Sequence, residues 1–121
     1  MPDRKKRILV IEDDDAIRGM EERILAASGF EVRSAPDGNA GLEVARTGGP
    51  FDLFILDVMM PGLNGFDLAR VLHGDPATKD TPILFATAKG EGASMTEGFE
   101  IGATLYLVKP FTTATLLAMV R

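Results

Sequence analysis

Four apolar runs in this chain stop at polar groups that could share chemistry. Ile8 to Ile11 ends in Glu12, Asp13, Asp14 and Asp15, and Leu53 to Leu56 ends in Asp57. Pro82 to Ala86 ends in Thr87, and Leu105 to Val108 ends in Lys109. Brought together, Glu12, Asp13 and Asp57 repel one another unless protonated or neutralised, and a bound cation removes the conflict. Oxygen ligands without His or Cys select a hard ion. A site with few carboxylates that also receives a phosphoryl group suits Mg2+, which keeps several of its waters. Lys109 offers a compact ammonium for a carboxylate at rest and a phosphoryl oxygen afterwards. Thr87 adds a short hydroxyl donor. In that setting Asp57 is a carboxylate nucleophile toward phosphorus, with the metal and Lys109 stabilising charge on the equatorial oxygens.

Such a site requires four strand ends at one edge of one sheet. The run Leu53 to Leu56 shows no polar alternation, as expected of a strand buried on both faces. Pro61, Gly62, Asn64 and Gly65 then break the chain before a helical pattern with Leu68, Val71 and Leu72, for which Asn64 is an N-cap candidate; that helix gives out around Gly74 to Pro76. The first helix carries Ile17, Met20, Ile24 and Leu25 as its stripe and closes at Gly29, with Asp14 and Asp15 expected to cap it. Phe30 to Ala35 reads as a short edge strand. Asp37 and Gly38 open a second helix through Leu42, Val44 and Ala45, ending at Gly48, Gly49 and Pro50. A fourth helix is expected between Ala93 and Ile101, weakened by neighbouring and internal glycines, and a fifth through Thr113, Leu116, Leu117 and Val120. Strands alternating with helices call for an α/β fold, a parallel sheet covered on both faces with right-handed crossovers. In open sheets of this kind ligands bind at the carboxyl edge. Asp57 alone reads equally well as an ordinary loop acid; the coincidence of four such ends favours a site.

The 121 residues read as one domain, 1–121, with no repeat or linker dividing it. The chain has no cysteine, which excludes thiol catalysis and thiolate metal sites, and it has no membrane-length apolar run or signal-peptide core. A cytoplasmic protein is expected. The net charge of −5 argues against direct nucleic acid binding, and the run Arg4 to Arg7 reads as a solvated tail. His73, the single histidine, falls near a helix end and reads as structural.

Glu12 and Asp13 after the first run, Asp57 with Met60, Pro61, Gly62 and Gly65 behind it, Thr87 followed by Ala88, and Tyr106 three before Lys109 and Pro110 are together similar to the receiver domain of two-component response regulators, including chemotaxis regulators. The resemblance spans Arg7 to Val120. It implies a flavodoxin-like, doubly wound five-stranded sheet in the order 2-1-3-4-5. It implies that Asp57 accepts a phosphoryl group from a phosphohistidine on a sensor histidine kinase or phosphotransfer protein. Glu12, Asp13, Asp57 and the carbonyl of Met59 then match the Mg2+ ligands, Glu12 acting through water. Thr87 and Lys109 match the pair that binds phosphoryl oxygens, and Thr87 with Tyr106 matches the switch. The Lys109–Pro110 peptide is cis in the family. The readout surface comprises the fourth helix, fifth strand and fifth helix, from about Ala93 to Val120, and acts on a downstream protein or output domain. The protein would be a signalling switch rather than an enzyme acting on a separate substrate, catalysing only its own phosphorylation and slow dephosphorylation.

Several positions depart from the family pattern. Leu105 stands where a polar residue is usual, favouring a partner-binding patch over core. Met59 and Lys89, at the two positions that tune dephosphorylation, orient water poorly, so slow self-hydrolysis is expected. Two other readings compete. A Mg2+-dependent phosphohydrolase would want a second acid where Met59 stands, and a nucleotide or flavin module would want a glycine-rich loop where the four acids stand.

Overall fold

A computed structural model of the protein describes residues 5–57, 65–88, 105–109 and 117–118, with backbone alone for 87–88 and 105–109. The elements run β1 (Arg7–Ile11), α1 (Asp15–Ala27), β2 (Glu31–Ala35), α2 (Gly38–Thr47), β3 (Leu53–Asp57), α3 (Gly65–Gly74), β4 (Ile83–Ala88) and β5 (Leu105–Lys109). All five strands are parallel in the order β2-β1-β3-β4-β5, as the resemblance implies. The fourth helix, the Asn64 cap and the Lys109–Pro110 peptide lie outside the described residues, as does most of the fifth helix; residues 117–118 are helical.

Uninterrupted apolar strands bury both faces because successive side chains point to opposite sides. Leu9, Ile11, Phe54, Leu56, Ile83 and Phe85 meet Ala45 of α2 and Phe66, Leu68, Ala69 and Leu72 of α3 on one face. Ile8, Val10, Leu53, Ile55, Leu84 and Ala86 meet Leu25 and Ile24 of α1, with Leu117, on the other. Phe66 sits edge-on to Phe85 with centroids 4.9 Å apart, which seats α3 against β4. At the amino edge Arg7 lies 4.8 Å over the Phe51 ring, and its Nε donates to Glu31 at 2.8 Å.

Helix ends follow local chemistry. The Asp14 carboxylate accepts from the N–H groups of Ala16 (2.9 Å) and Ile17 (3.0 Å), so Asp14 is the N-cap and Asp15 sits in the first turn. At the other end Gly29 takes φ +97°, with Phe30 N bonded to Leu25 O and Gly29 N to Ala26 O, both at 3.1 Å. That is a Schellman closure, and the apolar Phe30 folds back onto the cluster that holds Leu25 and Ile24.

Three details differ from the sequence reading. Phe30 belongs to the turn, and β2 begins at Glu31. The inner stripe of α1 includes Glu21, which is fully buried, while Met20 is only half-buried. Thr87 lies inside β4 instead of just past it. The ladder with β3 stops at Asp57–Ala86, but pairing with β5 carries β4 on through Thr87 and Ala88.

Candidate functional site

Register brings the polar strand ends to one edge. Ile11 pairs with Leu56, so the next residues, Glu12 and Asp57, stand at the same height on adjacent strands, and Asp57 pairs with Ala86. Neighbouring parallel strands are about 4.8 Å apart, close enough for one ligand to touch both. Ala86 pairs in turn with Leu107. Thr87 is therefore one step beyond the Asp57 row on β4, and Lys109 two steps beyond it on β5, about 6.6 Å along the strand at 3.3 Å per residue. Tyr106 pairs with Phe85 one row below. The backbone thus gathers Glu12, Asp57, Thr87 and Lys109 at the carboxyl edge; Met59 lies outside the described residues.

The acids differ in environment. Glu12 is 1% and Asp57 5% exposed, whereas Asp13 is open to solvent. Each of the three offers an oxygen within 4.8 Å of the others. Two oxygens trans across a Mg2+ are about 4.2 Å apart, twice the 2.1 Å bond, so a spread of this size accommodates a hard cation held partly directly and partly through water. Two nearly dry carboxylates at this separation also need positive charge nearby, because neither retains full hydration. The donor set therefore fits a hard divalent ion. Asp13, the exposed member, leaves one side of the cluster facing solvent, from which a phosphoryl donor could approach.

The β1–α1 turn holds Glu12 at several atoms. Its N–H donates to Ala35 O at 3.1 Å, and its Oε2 accepts from the N–H of Asp14 at 3.1 Å. Its carbonyl accepts from Arg18 Nη1 at 2.9 Å, and Arg18 Nη2 also reaches the carboxylate of Asp15. The Asp15–Arg18 pair is legible as an i,i+3 helix pair. The bond back to Glu12 carries no sequence signal, since it depends on how the turn folds. A second support missed in the sequence is Gly41, buried in α2. A Cβ there would fall 2.7 Å from Ile11 Cγ1, so α2 can lie this close to β1, one residue before Glu12, only without a side chain.

His73 falls in the last turn of α3, away from these strand ends, with Nε2 buried and no hydrogen-bond partner among the described residues. Among the described residues no helix is long and apolar enough to cross a membrane.

Comparison with known proteins identifies the fold and the family. The transcriptional regulatory protein CusR of Escherichia coli K12 is 43% identical over 115 residues, covering 95% of this chain and 49% of CusR. The DNA-binding response regulator MtrA of Mycolicibacterium smegmatis is 39% identical over 117 residues, covering 97% of this chain and 50% of MtrA. The chain thus spans about half the length of the curated relatives it matches. The chemotaxis response regulator CheY4 of Vibrio cholerae superposes with a TM-score of 0.91 at 36% identity, over 97% of each chain. The profile of the response regulator receiver domain matches residues 8–121, and the chain belongs to that family, the phosphoacceptor module of two-component signalling.

Proposed function

We propose that Asp57 is the phosphoacceptor of a single receiver domain spanning 1–121, and that Glu12, Asp13 and Asp57, with the Met59 carbonyl, hold Mg2+. The observation that carries this reading is the cluster itself: three carboxylates within 4.8 Å at the carboxyl edge, two of them buried. A bound Mg2+ would neutralise the acids and the equatorial phosphoryl oxygens. An Asp57 oxygen attacks the phosphorus of a phosphohistidine, a P–O bond forms, the N–P bond breaks, and its electron pair leaves on the imidazole nitrogen. Burial of Asp57 strips competing water from the nucleophile, and its strand-end position fixes the line of attack. Thr87 and Lys109, one and two rows above, bind the transferred phosphoryl oxygens. The added charge, about −1.5 to −2, draws Thr87 inward and lets Tyr106 follow, rearranging the surface from about Ala93 to Val120.

The protein is a signalling switch, and the only chemistry proposed for it is its own phosphorylation and slow dephosphorylation. Its phosphodonor is a sensor histidine kinase or phosphotransfer protein, and its readout a downstream protein or output domain in the cytoplasm. The names of CusR and MtrA as transcriptional and DNA-binding regulators describe chains twice as long. For this chain, a net charge of −5 supports protein as the partner of the receiver surface.

Intact mass after incubation with acetyl phosphate, with and without Mg2+, tests the assignment. A single Mg2+-dependent phosphoryl adduct is expected on the native chain and none on Asp57→Asn. An adduct that survives the substitution would move the acceptor elsewhere.

A further inference from the structure

We infer that Arg18 is a positioning residue for the divalent cation, setting the affinity of the acidic cluster without touching the ion; this rests on the reading of Glu12, Asp13 and Asp57 as the metal site. The carbonyl that Arg18 Nη1 holds at 2.9 Å belongs to the peptide joining Glu12 to Asp13. Fixing that peptide plane orients both acids at once. Two further bonds in the turn, from the Glu12 N–H to Ala35 O and from the Asp14 N–H to Glu12 Oε2, use backbone donors. Arg18 brings a side-chain donor to the same turn, and its side chain is only 19% exposed although it stands in the first turns of α1.

The fork geometry matters. Nη1 closes on the Glu12 carbonyl while Nη2 closes on Asp15, one guanidinium spanning the strand end and the helix start. A lysine carries the same charge but a single ammonium nitrogen, and it cannot reproduce a planar two-point brace. Charge and bracing therefore act in opposite directions on the cation. Through space, a guanidinium beside the cluster weakens cation binding. As a brace it strengthens binding, by holding two ligands in place before the ion arrives. The partial burial of the side chain and its bond to the shared peptide favour the brace.

The test compares native protein, Arg18→Lys, Arg18→Met and Asp13→Asn by calorimetric titration with MgCl2, and by the Mg2+ dependence of phosphorylation from acetyl phosphate. Circular dichroism and the urea midpoint in EDTA establish that each variant folds, and Arg18→Lys, which keeps stem and charge, carries the result if Arg18→Met does not fold. The expected result is that Arg18→Lys raises the Mg2+ dissociation constant and the half-saturating Mg2+ about tenfold, while the rate at saturating Mg2+ stays within about twofold of native. Native-like affinity in Arg18→Lys, or tighter binding in Arg18→Met, would overturn the brace and leave only a charge effect. If Asp13→Asn binds Mg2+ as native does, the metal-site reading fails, and the role of Arg18 fails with it.

Discussion

Asp57→Asn should make the protein more stable when no divalent cation is present. Glu12 and Asp57 are nearly dry, and their oxygens lie within 4.8 Å. At an effective dielectric of about 20, two unit charges at that distance repel by about 3.5 kcal/mol, and the unfolded chain relieves nearly all of it. Asparagine keeps the shape and removes the charge. Against this gain stands the loss of a buried charged acceptor, worth about 1.5 to 3 kcal/mol where a hydrogen bond ends on it. The net expectation is a stabilisation of about 0.5 to 2 kcal/mol. With an unfolding entropy of about 2.1 cal/mol/K per residue over 121 residues, that is a rise of about 2 to 8 °C in Tm. Mg2+ at ten times its Kd should stabilise the native chain by about 1.4 kcal/mol and the variant by less, which narrows or reverses the order. Differential scanning calorimetry in EDTA and in excess MgCl2 reads both effects. A variant that melts below native in EDTA, or a native Tm indifferent to Mg2+, would refute the electrostatic account of the cluster.

Four other outcomes are expected. Gly29→Ala meets no atom within 4 Å, so its cost is conformational, about 1 to 2 kcal/mol for a left-handed residue, read as a lower urea midpoint with unchanged slope. Gly41→Ala gains about 1 kcal/mol of helix propensity but overlaps Ile11, an overpacking cost of about 1 to 3 kcal/mol. It should therefore destabilise, and Ile11→Val, which deletes the nearest atom, should restore much of the loss in a double-mutant cycle. The purified phosphoprotein should lose its phosphoryl group slowly because Met59 and Lys89 orient water poorly; installing Asn at 59 should accelerate the loss, followed by intact mass over time. Hydrogen exchange with and without fluoroberyllate should change most between Ala93 and Tyr106, and identical exchange there would remove that surface from the switch.

The sequence by itself determined the alternation of elements, the burial of the strands and which polar residues stand at their ends. Runs such as Leu53 to Leu56 leave no polar face, so they specify a covered parallel sheet, and acids at their ends are exposed as candidates by contrast with what precedes them. Asp14 and Asp37 as caps and Gly29 as a helix stop are local signals, and all three hold. What depends on neighbours was not legible. Glu21 sits on the buried stripe of α1 because the helix rotates by how it packs on the sheet, and propensity is blind to that rotation. Thr87 falls inside β4 because a partner strand, β5, extends the ladder past Ala86. Gly41 is required by the approach of Ile11 from another element. The distances among Glu12, Asp13 and Asp57 exist only once parallel register sets two strand ends at one height, and the hold of Arg18 on the Glu12 carbonyl exists only once the turn between them has closed. Residue types follow from the chain's own order; separations between segments forty residues apart follow from the packing free energy of the whole sheet, and only the tertiary structure supplies them.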